Sequence, residues 1–209
     1  MSVQEIFQSI LERKRNEIAA LVQAEIDAGT EISVILNQGL IGAMDEVGKQ
    51  FSDGRLFVPE MLVAAETMKT GLEILRPRLV DADIKPRGTV IVGTIQGDLH
   101  DIGKNLVAMM LEGAGFTIVD LGVDVAPEKF LEAAVENRPQ LVAMSALLTT
   151  TMPNMGRCIN VLKNAEIDAK VIVGGAPVNQ EYASKIGADG YSSDAPGAVD
   201  LAKNLVPKA

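Results

Sequence analysis

The sequence predicts an α/β protein: an N-terminal antiparallel helical bundle followed by a doubly wound, parallel, five-stranded domain. Three observations carry this. Residues 2–80 repeat their apolar side chains at helical spacing. Residues 89–209 alternate short β-branched runs with helical segments. Between them, residues 81–88 read DADIKPRG, polar and interrupted by a proline and a glycine. The expected organisation is a helical domain over 1–80, a linker over 81–88 and an α/β domain over 89–209.

In the first half, Ser2-Val3-Gln4-Glu5 has the form of a capping box. Ile18, Leu21, Val22 and Ile26 form a stripe that ends at Gly29. Ile32, Ile35, Leu36, Leu40, Met44, Val47 and Phe51 form a second stripe. Ser52-Asp53-Gly54-Arg55 is a turn, and Pro59 suits the first turn of a third helix carrying Met61, Ala65, Met68, Leu72 and Leu75. Such stripes bury one face each and pack as a bundle.

In the second half the strand candidates are Thr89–Ile95, Thr117–Leu121, Leu141–Ala146, Lys170–Val173 and a short run near Gly190–Ser192. Helices are expected near Gly103–Glu112, Pro127–Asn137, Pro153–Asn164, Asn179–Ile186 and Pro196–Leu205. Continuous apolar runs suit strands covered on both faces, and strand–helix alternation implies right-handed crossovers. Ligands of such sheets bind beyond the carboxyl ends of the strands. That directs attention to loops 96–103, 122–126, 147–153, 174–178 and 192–196.

Composition narrows the function. The chain has 209 residues and a formal charge of -9. An acidic surface argues against nucleic acid and against an anionic membrane, since both are held largely through Lys and Arg. Aromatic residues are 3% of the chain, too few for base-stacking platforms. The single cysteine, Cys158, excludes an intramolecular disulfide and reads as a small core or half-buried residue. The first residues lack the apolar core of a signal peptide, and no apolar run reaches ~18 residues, so a cytoplasmic protein is expected.

One loop stands out. Gly93-Thr94-Ile95-Gln96-Gly97-Asp98-Leu99-His100-Asp101-Ile102-Gly103-Lys104-Asn105 leads from the first strand into a helix. His100 is the chain's only histidine, and Asp98 lies two residues before it. Neutral imidazole binds a transition metal through one nitrogen while the other donates to a carboxylate, which sets the tautomer. Asp98 suits that task, although an Asp-x-His pair is also ordinary loop chemistry. Zinc would need further His or Cys ligands, which are absent nearby. The glycine spacing fits neither a phosphate loop nor a dinucleotide fingerprint. A single protein ligand suffices when a macrocycle supplies the other donors.

At this point the sequence resembles the cobalamin-binding family. Asp98-Leu99-His100-Asp101-Ile102-Gly103 matches the signature D-x-H-x-x-G. Ser145-Ala146-Leu147 matches S-x-L after 41 intervening residues, and Gly174-Gly175 matches the terminal G-G after 26 more. Residues 2–80 resemble the helical cap that precedes the corrinoid domain in methionine synthase and in methyltransferase corrinoid proteins. The resemblance implies a helical cap followed by a Rossmann-like, flavodoxin-like domain, and a corrinoid cofactor whose cobalt cycles between methylcobalamin and cob(I)alamin. It implies that His100 is the lower cobalt ligand, that Asp98 hydrogen-bonds it and that Thr151 continues the relay. Methionine synthase has Ser where this chain has Thr151, so the hydroxyl persists on a different side chain. Gln96, Leu99, Asp101, Gly103, Ser145, Leu147 and Thr149 are implied as cofactor-binding residues, with Gly174 and Gly175 giving the nucleotide tail access to the backbone. Phe51 and Val58 match apolar cap positions over the upper corrin face; their other reading is ordinary bundle core.

The function so implied is methyl carriage between a substrate methyltransferase and an acceptor methyltransferase acting on a pterin or thiol, with a reductive activase as a third partner. The chain would be the corrinoid subunit of such a system and non-catalytic alone. Two other readings share the signature. A cobalamin-binding mutase subunit would not want the N-terminal helices. A corrinoid-binding regulator would want a basic recognition helix, and none stands out in residues 2–80.

Overall fold

A computed structural model describes residues 2–207. The chain forms two compact units. The first runs to Pro86 and takes in the short stretch Glu112–Gly115; the second holds Arg87–Leu111 and continues from Phe116.

The first unit contains α1 (Val3–Leu11), α2 (Arg15–Asp27), α3 (Ile32–Val34), a π-helical segment (Ile35–Ile41), α4 (Gly42–Ser52) and α5 (Val58–Asp81). At the start of α1 the Ser2 N–H donates to the Glu5 carboxylate at 2.7 Å. Ile6, Ile10, Ile18, Val22, Leu40, Met61, Met68 and Leu75 are buried. Each such side chain contributes roughly 1.5–3 kcal/mol on leaving water. Gly71 marks where α2, α5 and the π segment meet, because a Cβ there would stand 3.0 Å from both Ile18 and Leu40.

The second stripe differs from the continuous α-helix its spacing predicts. Its middle widens into the π segment, and the Gly42 N–H returns to the Asn37 carbonyl. Steps of four between Leu36, Leu40 and Met44 overshoot an α-turn, and the wider turn keeps all three inward. The α5 helix runs one residue into the expected linker, to Asp81.

The second unit is a five-stranded sheet with every described pairing parallel and strand order β2-β1-β3-β4-β5. The strands are β1 (Thr89–Thr94), β2 (Thr117–Asp120), β3 (Leu141–Ser145), β4 (Lys170–Gly174) and β5 (Gly190–Tyr191). The helices are α6 (Ile102–Gly113), α7 (Pro127–Asn137), α8 (Pro153–Asn164), α9 (Gln180–Ile186) and α10 (Ala195–Leu205). Ile91, Val142, Met144 and Val173 pack with Phe130 of α7, Met155 and Ile159 of α8 and Ala183 of α9. Val90 and Val92, on the opposite face of β1, are equally buried. Central strands covered on both faces explain the unbroken apolar runs. The edge strand β2 is only half-buried at Ile118 and Val119.

Cys158 is buried in α8, and burial, with the Glu128 charge adding to it, pushes the thiol up to about 12. It is a core residue and not a nucleophile. Among the described residues no helix is long and apolar enough to cross a membrane.

The order of strands places β1 and β3 side by side while the chain departs from them toward opposite edges. The carboxyl ends of these two strands are therefore the switch point, where a crevice opens. Close packing beneath it depends on Gly93, since a Cβ there would stand 2.7 Å from the buried Phe130 ring. Gly93→Ala is expected to cost about 1–3 kcal/mol by overpacking. Adding Phe130→Leu should recover part of it, so urea unfolding of the double variant should show less destabilisation than the two single variants summed. Strict additivity would contradict the contact.

Candidate functional site

The loop after β1 carries Asp98 and His100, and the loop after β3 carries Leu147, Leu148 and Thr151. The β1–β3 ladder extends one residue further, with the Ile95 N–H donating to the Ser145 carbonyl at 3.1 Å. The chain then turns through Gly97 at φ +85°, a conformation that favours glycine, and drives the Asp98 side chain between the two strand ends.

Asp98 is fully buried. Its Oδ1 accepts the His100 backbone N–H at 3.1 Å and lies 2.7 Å from His100 Nδ1. Its Oδ2 accepts the N–H groups of Leu147 at 2.7 Å and Leu148 at 3.2 Å, and the Thr151 hydroxyl at 3.0 Å. Burial alone would favour the neutral acid. The donors from Leu147, the His100 ring, the His100 backbone and Thr151 outweigh it, and the carboxyl is held well below the usual carboxylate range. Asp98 is therefore an anion, so Nδ1 is the donor to it, and Nε2 is the nitrogen with a lone pair whenever the ring is neutral.

The His100 side chain is 53% exposed although its partner is buried. Around it lie apolar side chains that water does not favour: Leu99 and Ile102 are exposed, and Leu147 and Leu148 are each 42% exposed. Thr94 holds the base of the loop, donating its hydroxyl to the His100 carbonyl at 2.8 Å. The Asn154 amide donates to the Gln96 carbonyl at 2.8 Å, tying α8 to the loop. Asp101 precedes α6 and accepts from the Asn105 amide.

The remaining predicted residues occupy the same end of the sheet. Ser145 is half-buried at the end of β3, and Thr149 is exposed in the following loop. Gly103 faces open space, so no protein packing demands a glycine there. Gly174 ends β4 and Gly175 follows it. A Cβ on Gly175, whose φ is +119°, would stand 1.8 Å from the Ala146 carbonyl oxygen. The obstacle in the fold is thus the backbone just after β3, a reason for glycine that precedes any ligand. Phe51 closes α4 and Val58 opens α5, both half-buried within the helical unit. Phe57 between them is 66% exposed and was not singled out by periodicity. Nor were Leu148, whose backbone N–H does the binding, or Ile102.

This donor set fits a macrocyclic metal cofactor. Among the described residues no cluster of three or more His, Cys, Asp or Glu could hold an ion unaided. One imidazole, its Nδ1 tied to Asp98, stands instead partly exposed in a loop with exposed Leu99 and Ile102. The fold and site define a switch-point α/β domain whose single histidine is paired with a buried carboxylate.

Comparison with known proteins narrows this class. Models of the B12 binding domain match residues 3–76 and 88–200, and the chain belongs to that family, the corrinoid proteins. It is 46% identical to trimethylamine corrinoid protein 1 of Methanosarcina mazei over 90% of this chain and 89% of that one. It superposes with TM-score 0.88 and 30% identity on a chain of the methanol:cobalamin methyltransferase complex of Methanosarcina barkeri, covering 99% of this chain and 80% of that one. A cobalamin-binding protein of Desulfitobacterium hafniense matches with TM-score 0.82 and 28% identity over 99% of each chain. The cofactor is a corrinoid.

Two outcomes are expected of the site itself. Asp98→Asn leaves an amide facing donors and should lower stability by about 1–3 kcal/mol at pH 7. Because the folded-state carboxyl is depressed, the stability that Asp98 contributes is complete above its unfolded value near 3.9 and lost as pH falls toward the folded one. Denaturation of wild type and Asp98→Asn should therefore converge between about pH 5 and pH 2, and a constant gap would contradict the assignment. Gly175→Ala should cost about 3 kcal/mol or more in the apoprotein, since both its φ and the Ala146 carbonyl resist a Cβ.

Proposed function

We propose that this chain is a cytoplasmic methyl carrier whose His100 Nε2 is the lower axial ligand of the corrinoid cobalt. The observation that carries the reading is the buried Asp98 carboxylate 2.7 Å from His100 Nδ1, which leaves only Nε2 free to coordinate. The domains assigned are a helical cap over 1–80, a linker over 81–88 and a corrinoid-binding domain over 89–209. When bound, the corrinoid supplies the cobalt on which a methyl group is accepted and given up as a cation equivalent.

The chain's own residues orient and protonate. Leu99, Leu147 and the neighbouring Ile102 and Leu148 cover apolar ligand surface and exclude water from the imidazole–metal contact. Gln96, Asp101 and Gly103 shape the loop against the ligand. Ser145, Thr149, Gly174 and Gly175 line the slot for its nucleotide tail. Phe51 and Val58 of the helical unit would supply apolar cover for the corrinoid. On a neutral ring without a metal, Nε2 would be the atom that takes a proton. Asp98 is the poorer proton acceptor, because both its oxygens already accept hydrogen bonds that favour the anion. It instead stabilises the imidazolium, with Thr151 holding Oδ2.

The partners would be a substrate methyltransferase, an acceptor methyltransferase acting on a pterin or thiol, and a reductive activase. Likeness to a trimethylamine corrinoid protein supports an N-methylated compound as the methyl source. A mutase subunit or a regulator finds no particular support in the helical unit.

Protein reconstituted with hydroxocobalamin should turn red and keep its cobalt through gel filtration. His100→Ala should lose the histidine-ligated spectrum; an unchanged spectrum would overturn the ligand assignment. Methyl transfer should require both methyltransferases, and turnover by the chain alone would sink the carrier reading.

A further inference from the structure

The segment that carries Asp98 is gripped from a third strand as well. The β2–α7 loop runs through Gly122, Val123 and Asp124 beneath the histidine loop. Asp124 is not glycine, yet it adopts φ +54°. In that conformation its side chain and its backbone reach the same target. The Asp124 Oδ1 accepts the Gly97 N–H at 2.7 Å. Its own N–H donates to the Asp98 carbonyl at 3.0 Å. Both flanks of the Gly97–Asp98 peptide are thereby held by one residue.

The loop that positions Asp124 is itself anchored. The Thr94 N–H donates to the Gly122 carbonyl and the Val125 N–H to the Thr94 carbonyl, each at 3.0 Å. The Gly122 N–H donates to Asp120, whose carboxylate takes the buried Lys104 ammonium. Asp120 and Lys104 thus fix one end of the loop, and Val125, bridged to Ile95, fixes the other.

We propose that Asp124 is a positioning residue for His100. It acts through Asp98, by clamping the peptide that aims the carboxylate at His100 Nδ1, and so sets which ring nitrogen bears the proton. The inference rests on the reading of His100 as the metal ligand for its purpose, but its geometry exists in the apoprotein. Left-handed φ is tolerated by Asp, Asn and Gly far better than by Ala. Substitution can therefore separate the acceptor from the backbone. Asp124→Asn keeps an oxygen acceptor and the conformation. Asp124→Gly keeps the conformation and removes the acceptor.

The chain's one histidine makes the readout direct. In apoprotein labelled with [15N]histidine, at a pH where the ring is neutral, wild type should show Nδ1 protonated and Nε2 bare. Asp124→Asn should match it. Asp124→Gly should lower the ratio of that tautomer to the other by roughly three- to tenfold, the effect of losing one ordinary hydrogen bond. Exchange of the Gly97 amide proton should accelerate alongside. A purely structural role would lower the melting temperature without changing the tautomer ratio. The proposal is overturned if Asp124→Gly keeps the wild-type ring shifts, or if Asp124→Asn shifts them as far as Asp124→Gly does. A second arm uses protein loaded with hydroxocobalamin and reduced to cobalt(II). There Asp124→Gly should weaken the nitrogen superhyperfine splitting from His100, and an undiminished splitting counts against the proposal. If wild type showed no such splitting, the ligand assignment would fall while the apoprotein ring measurement still tested the clamp.

Discussion

The carboxylate of Asp98 lies fully buried where β1 and β3 end, and each of its oxygens accepts hydrogen bonds from groups the fold has to supply. An ionised carboxylate out of water is costly unless its lone pairs are met, and here the donors come from two loops about fifty residues apart in sequence. The arrangement joins stability to chemistry. The N–H groups of Leu147 and Leu148 and the Thr151 hydroxyl keep Asp98 charged, and the charge keeps the His100 proton on Nδ1. An exposed imidazole is thus backed by a buried anion that is tied to the ends of two strands.

The parallel sheet makes this possible. Only where neighbouring strands send their chains to opposite edges does a crevice form in which two loops face each other without a crossing helix. The order β2-β1-β3-β4-β5 places that crevice over β1 and β3. Tight backbone approaches then hold it: Gly93 under Phe130, Gly175 against the Ala146 carbonyl, and Asp124 against Gly97 and Asp98. Each involves backbone at close range, with little tolerance for displacement.

Much was legible before any coordinates. The helices Pro127–Asn137 and Pro153–Asn164 fall where periodicity places them, because a proline in the first turn and an apolar stripe mark each. Asp98 and His100 are two residues apart in sequence, so their proximity is legible without the rest of the fold. The π segment Ile35–Ile41 was not legible, because a stripe records which side chains face inward and not which carbonyl each N–H meets. Asp124 and Leu148 were missed for a related reason. One acts partly and the other wholly through its backbone, and a backbone N–H carries no residue signature. At Gly175 the fold adds a reason for glycine that the sequence does not show, the Ala146 backbone just after β3.

By itself, then, the sequence determined the fold class, the strand and helix succession, the single imidazole and its carboxylate partner. These depend on side-chain period and on neighbours within a few residues. Only the tertiary structure decided what surrounds Asp98: that the donors to Oδ2 come from the loop after β3, and that Asp124 grips the same peptide from the loop after β2. Those contacts join three strand ends, and their distances are set by sheet register and twist, which no local pattern of residues specifies.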